Sequence, residues 1–236
     1  MKPLRFTMLV VCLFVAQWAE GASGTTLTGR VVLTGNPPPA SKADVARDKE
    51  YCGEQLGIDR IRIDPATGGL SAAVVSIEGV SGATEPSFTP IVLNNRKCAF
   101  EPRVQVATAN QPLELRNEDP VMHNTHIILE SKTFMNVALL AGSQPISKRL
   151  KRPGLYEVRC DAHRFMRGYV WAFPHPYFST TDEAGAFHIP GVPAGQYTVT
   201  VWHEALGVLS KTVAIPAQGE VTVVIEFSNH ERAGAR

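Results

Sequence analysis

The stretch Leu155-Tyr156-Glu157-Val158-Arg159-Cys160-Asp161-Ala162-His163-Arg164-Phe165-Met166 runs from a strand-like segment into a short loop that reads C-x2-H-x2-M. About forty residues upstream stands Asn117-Glu118-Asp119-Pro120-Val121-Met122-His123-Asn124. Together the two stretches offer one thiolate (Cys160), two imidazoles (His123 and His163) and one thioether (Met166). That is the donor set of a His2Cys copper centre with a weak axial methionine. Thiolate and thioether are soft and favour Cu(I), whereas imidazole keeps Cu(II) bound. A compact loop delivers three donors and a separate strand end supplies the fourth. Zinc takes the same thiolate and imidazoles, but a thioether serves it poorly. The bland alternative is a buried cysteine with histidine and methionine nearby by coincidence.

Outward from this loop, short strands recur at roughly 91–94, 98–100, 103–108, 112–117, 124–130, 146–150, 154–160 and 168–173. Turn residues close each one, the pattern of an antiparallel sandwich or barrel. Further strands are expected at 181–189, 196–203, 207–215 and 220–227, and before them at 25–35 and 70–80. Residues 41–57 are polar, charged and helix-compatible, and residues 174–180 read as a linker or edge. The fold class is therefore all-β. The chain has 236 residues, 44% of them hydrophobic and 19% charged, which excludes a disordered chain. A formal charge of +1 provides no basic field for nucleic acid.

The first residues look like a targeting segment. Lys2 and Arg5 precede an apolar run from Phe6 to Ala19, and small residues follow at Gly21, Ala22 and Ser23. This is the pattern of a secretory signal peptide over residues 1–21. The run is short for a bilayer span, so the mature chain is expected to carry no integral membrane segment and to be periplasmic or secreted. Cleavage removes Cys12 and leaves Cys52, Cys98 and Cys160. An odd cysteine after export is an inert thiol, an intermolecular disulfide, or a third sulfur with a chemical task beside one pair.

At the ligand motifs the chain resembles the cupredoxins, the blue copper electron carriers, and its short loop is most similar to the amicyanin branch. The resemblance covers roughly residues 91–173. It implies a Greek-key β-sandwich with His123, Cys160 and His163 as equatorial ligands, Met166 as axial ligand and one mononuclear type 1 copper. It also implies that Asn124 pins the ligand loop through hydrogen bonds. Many cupredoxins have Ser or Thr after the ligand cysteine, where this chain has Asp161. An acidic neighbour lowers the reduction potential or takes over the hydroxyl's hydrogen bond. His126 follows His123 at i+3, on the opposite face of a strand, and is a poor fifth ligand.

Thr181-Asp182-Glu183-Ala184-Gly185-Ala186-Phe187, with Pro190-Gly191-Val192-Pro193-Ala194-Gly195-Gln196-Tyr197 after it, is similar to the carboxypeptidase regulatory-like domain, a small transthyretin-like sandwich. Gly29-Arg30-Val31 and Gly35-Asn36-Pro37 resemble that domain's start. The implied organisation is an N-terminal β segment over 22–80, a cupredoxin domain over 81–174, the second, smaller sandwich over 175–228 and a frayed tail over 229–236. A discontinuous smaller sandwich interrupted by the cupredoxin is one arrangement, and tandem sheets in chain order are the simpler one. His188 and His203 fall in this part and are expected to serve packing or surface. Cys52 and Cys98 are then left to pair, in a bridge that an oxidising compartment permits.

The resemblance implies a carrier of single electrons between periplasmic donors and acceptors, such as a c-type cytochrome or a dehydrogenase, with His163 as the electron port. Its rivals are a copper-delivery protein with the same ligands and a non-redox interaction module. A copper enzyme needs an open coordination position or a second His-rich site, and the other histidines are too scattered, so no enzyme is expected. Lys148, Arg149, Lys151 and Arg152 form either a solvated turn or a docking patch for an acidic partner beside the ligand loop.

Overall fold

The computed structural model describes residues 24–80 and 87–228. The expected signal peptide at 1–21, the expected tail at 229–236 and residues 81–86 lie outside the described residues. No helix among the described residues is long and apolar enough to cross a membrane.

Two β-sandwiches and one small hairpin make up the fold. In the first sandwich, strand Thr25–Thr34 is central to a three-stranded sheet. It pairs antiparallel with Ala186–Val192 and parallel with Glu220–Ser228. The second sheet runs Phe178–Thr180, Val74–Glu78, Gly195–His203, Gly207–Ile215. Between the sheets lie Leu27, Val31, Leu70, Ile77, Ile189, Val199 and Val201, all wholly buried. Each such side chain contributes about 1.5–3 kcal/mol of transfer free energy. Strands from both ends of the chain thus share one core.

The other sandwich has a five-stranded sheet in the order Lys132–Leu139, His123–Leu129, Gly154–Arg159, Arg167–Phe173, Val104–Thr108. Its partner sheet runs Ile146–Arg149, Pro112–Asn117, Ile91–Arg96, Ala99–Glu101. Leu93, Leu113, Leu115, Ile127, Leu139, Tyr156, Val158 and Val170 fill the space between, and Cys160 and Met166 belong to the same core. The two sandwiches touch through Arg103, which grips Glu204 with two guanidinium nitrogens, and through the Tyr169 ring at 5.2 Å from that of Trp202.

Three local expectations give way to other structure. Residues 41–57 are not a helix: Ser41–Asp44 pairs antiparallel with Gln55–Ile58, and only Lys49–Cys52 between them is helical. Asp48 at φ 54° and Gly53 at φ 86° limit that helix to a single turn. Strand Lys132–Leu139 has no counterpart among the expected strands. It is joined to His123–Leu129 by a two-residue turn, Glu130-Ser131, with φ of 49° and 64°. Such turns are recognised in sequence by Asn-Gly or Asp-Gly, and Glu-Ser hides this one. Lys97-Cys98 makes a similar turn at φ 51° and 56° where a strand was expected from residue 98.

The motif Thr181-Asp182-x-x-Gly185 is a clip. The Thr181 hydroxyl accepts the Ala73 N–H at 2.9 Å and donates to Leu70 O at 2.7 Å. Asp182 Oδ1 accepts from the N–H groups of Ala184 and Ala186. Gly185 has φ 75°, and a Cβ there would stand 2.4 Å from Val31 O, so only glycine fits. Thr181→Val keeps the shape but strands a buried donor and acceptor. It is expected to cost about 2–3 kcal/mol in urea unfolding, and a loss under about 0.5 kcal/mol would contradict the clip.

Candidate metal centre

Strand His123–Leu129 alternates buried and half-buried, with His123, Thr125, Ile127 and Leu129 facing the core. His126 therefore lies on the other face, between Asp161 Oδ1 at 3.2 Å and Thr133 Oγ1 at 2.9 Å. Arg159, the last residue of its strand, pairs with His126 on one side and Arg167 on the other. Cys160 follows at once and turns into the core beside His123. The loop then closes quickly, with the Met166 N–H donating to His163 O at 2.9 Å.

One ligand atom from each of His123, Cys160 and His163 lies within 4.8 Å of the other two, and all three residues are buried. His123 Nδ1 is 4.0 Å and His163 Nδ1 3.7 Å from Cys160 Sγ. An ion bonded in a trigonal plane to nitrogen at about 2.0 Å and sulfur at about 2.3 Å sets the two donors about 3.7 Å apart. Each nitrogen thus stands within a few tenths of an ångström of a metal-bound distance from the sulfur. The sulfur also accepts the N–H of Asn124 at 3.4 Å and of His163 at 3.3 Å. Asn124 Oδ1 in turn accepts the Asp161 N–H at 3.4 Å, which ties the strand end to the loop. Met166 is buried in the same core.

Protonation suits metal binding. Burial holds the Cys160 thiol above its usual range, against the pull of the N–H groups around it, so the metal-free sulfur keeps its proton. Burial likewise pushes the His123 imidazole down, despite Asp119, and leaves it neutral. A ligating ion would displace the thiol proton and find the His123 ring ready.

Asp119 is the functional residue that the motifs do not announce. It is 2% exposed, yet carries a carboxylate. Oδ1 accepts from the Lys97 N–H at 2.6 Å and the Tyr51 hydroxyl at 2.8 Å, and Oδ2 accepts from the Cys98 N–H and stands 2.8 Å from His123 Nε2. Burial raises its pKa, but the donors from Cys98, Tyr51, His123 and Lys97 outweigh that and hold it below the ordinary carboxylate range. Cys98, Asp119 and His123 also cluster closely enough to hold an ion. Cys98 is spent in a disulfide with Cys52, however, so that cluster has no thiolate. Cys160 is a free cysteine.

Other expected roles move. His163 is 1% exposed, so its ring is covered. Asp48 Oδ2 stands 3.0 Å from its Nε2, and the Phe165 ring lies 5.7 Å away. The basic cluster is not beside the ligand loop. Arg149 pairs with Pro112, and Arg152 bonds Glu130, just past the Leu129 end of the strand that begins at His123. Cys160 stands level with Thr125, so Glu130 is five strand residues, or about 17 Å, further along the sheet. The Asp161 carboxylate meets Asn136 Nδ2 at 3.3 Å and His126. His203 lies in the other sandwich, where its Nδ1 accepts the Ala205 N–H, and exposed His188 sits on a strand paired with Thr25–Thr34. Neither joins the centre.

Residues 175–223 match the family described as polysaccharide lyase family 4, domain II. No curated protein matches the sequence. Among solved structures, the chain is similar to amicyanin from Paracoccus versutus, with 19% identity, 42% of this chain and 96% of that one covered, and a TM-score of 0.33. A purple cupredoxin from Nitrosopumilus maritimus is similar at 20% identity over 35% of this chain and 97% of its own, with a TM-score of 0.31. A copper-containing nitrite reductase from Thermus scotoductus SA-01 is similar at 19% identity over 40% of this chain, with a TM-score of 0.33. The chain spans 24% of that enzyme's length.

Asp119→Ala leaves the donors of three separate segments without an acceptor. It is expected to lower the stability of the metal-free protein by about 3–5 kcal/mol, against about 1 kcal/mol for Tyr51→Phe. Equal losses for the two variants in denaturant titrations would show that Asp119 does not anchor this network.

Proposed function

We propose that the chain is an exported copper protein of the cupredoxin kind that carries single electrons between periplasmic partners. The single observation that carries this reading is the buried cluster of His123, Cys160 and His163 at near-bonded spacing, with two backbone N–H groups already aimed at the sulfur. Met166 is read as the axial ligand, and Asn124 and Asp161 as residues that hold the loop. Copper, when bound, supplies the one-electron couple. The chain's own part is to fix the donors before the ion arrives. His123 comes from a strand, Cys160 from the end of its neighbour, and His163 from a loop closed by its own hydrogen bond to Met166. Donors that hold their places in both oxidation states keep the reorganisation on electron transfer small.

Four ligands would close the coordination sphere, which fits a carrier rather than an enzyme. The redox partners are read as a donor and an acceptor such as a c-type cytochrome or a dehydrogenase. A second reading, a protein that holds copper for delivery, draws on one observation: His163 is covered, as suits retention more than rapid exchange with a partner. We read residues 81–174 as the copper domain. Residues 22–80, apart from the Ser41–Ile58 hairpin, and 175–228 are read as one discontinuous, carboxypeptidase regulatory-like sandwich with a structural role, because its Thr-Asp-x-x-Gly motif serves as a clip.

Optical and EPR spectra of the Cu(II)-loaded protein test this reading. An intense visible thiolate-to-copper band is expected, and Cys160→Ser should abolish it. A colourless Cu(II) complex that the substitution leaves unchanged would exclude the site. A carrier should also cycle reversibly between oxidation states without losing its metal to a chelator. Release of copper on reduction would favour delivery.

A further inference from the structure

The hairpin Ser41–Ile58 and its helical turn cap the outer edge of the candidate centre. Val45 and Cys52 are buried against Cys98, and Leu56 and Phe165 pack on them. The Cys52–Cys98 disulfide bonds the cap covalently to the copper-domain sandwich. From the cap, Tyr51 reaches Asp119 and Asp48 reaches His163.

The two imidazoles are placed alike. Each presents Nδ1 to Cys160 Sγ and Nε2 to a carboxylate. At His123 the acceptor is Asp119, hydrogen-bonded at 2.8 Å. At His163 the Asp48 oxygen is 3.0 Å away but off the line of the N–H, and the buried Nε2 has no hydrogen-bond partner. The Asp48 side chain is 40% exposed, so it is free to rotate, whereas the His163 ring is enclosed. A modest turn of Asp48 makes the bond. A buried, unpaired Nε2–H is unfavourable, which drives that turn.

We propose that Asp48 is a positioning residue for His163: the cap brings its carboxylate to Nε2, so that the ring keeps its proton there and offers Nδ1 to the ion. The proposal rests on the metal-site reading of His123, Cys160 and His163. Both ligand imidazoles are then gripped from outside by a carboxylate, one native to the sandwich and one delivered by the cap. An outer carboxylate fixes the tautomer and ring orientation and raises ligand basicity. Its negative charge also favours the higher oxidation state. The cap therefore both covers His163 and tunes it.

The test compares wild type with Asp48→Asn, Asp48→Ala and Asp48→Glu. In metal-free protein, the His163 Nε2–H proton is expected downfield and slow to exchange by NMR, and Asp48→Ala should return it upfield with at least about tenfold faster exchange. In Cu-loaded protein, Asp48→Asn should retain the thiolate band while raising the reduction potential. Asp48→Ala should lose copper to a chelator about 10–100-fold faster, and Asp48→Glu should restore much of the wild-type rate. Asp48→Asn and Asp48→Glu keep an acceptor at Nε2, so their metal-free unfolding midpoints should stay close to wild type, which separates positioning from general stability. A His163 Nε2–H signal indifferent to Asp48, or an unchanged potential together with a loss rate within about twofold of wild type, overturns the proposal while leaving the metal site standing. If wild type shows no thiolate band, the metal reading fails, and the Nε2–H measurement still decides whether Asp48 holds His163.

Discussion

A negative charge at Asp119, almost wholly removed from water, organises the end of the molecule where the metal donors meet. A carboxylate in that position is tolerable only when its lone pairs are filled. Here four donors fill them, from the Lys97-Cys98 turn, the capping hairpin and His123. Asn117 supports the arrangement from behind: its Oδ1 accepts the Asp119 N–H, and its Nδ2 donates to Val121 O and Leu139 O. The turn, the cap and the ligand strand thus meet at one anion. Displacing any one of them leaves the same charge less satisfied, so they are fixed in common.

What the sequence discloses about this centre follows from how local each signal is. The loop from Cys160 to Met166 is legible because the donor types are chemically distinctive and their spacing lies within seven residues. The strands are legible where apolar alternation ends in Gly or Pro. The turns at Glu130-Ser131 and Lys97-Cys98 are not, because ordinary residues hold the positive φ there. Asp119 sits inside the same stretch as His123, four residues before it, yet nothing in that spacing says that the chain bends back at Pro120 to bring carboxylate and ring together. Asp48 and Tyr51 are illegible for a different reason. They reach the centre only because a disulfide and a hairpin far upstream fold over it, and a pairing of that kind leaves no periodic mark.

His163 is covered in part through the same long-range packing. In an isolated sandwich with this loop, the outer edge of the ring would face water. Of the residues that cover it, Asp48 comes from the cap and Phe165 from the ligand loop itself. Asp48 and Phe165 close the edge together, one polar and one apolar. The charge distribution moves as well: the Lys148 to Arg152 cluster is bound into local contacts, Lys148 to Phe134 O and over its ring, Arg149 to Asn110 O, Arg152 to Glu130. A patch already committed to its neighbours and placed at the far end of the sheet does little to steer a partner toward the cysteine.

The cap also gives the terminal sandwich a physical task. Its hairpin begins a few residues after strand Thr25–Thr34 and returns through Ile63 and Leu70, both tied to that sandwich. It is therefore continuous in chain with one sandwich and bonded through Cys52 to the other. A hairpin of two four-residue strands and one helical turn is too small to hold its own shape. Its position is set by its two anchors. The clasp of Arg103 on Glu204 and the contact of Tyr169 with Trp202 fix the distance between those anchors. With that distance fixed and the disulfide closed, Asp48 and Tyr51 have few places to go besides the outer edges of His163 and Asp119. The smaller sandwich thus needs no chemistry of its own to influence the centre: by holding one end of the cap, it sets what meets the His163 ring.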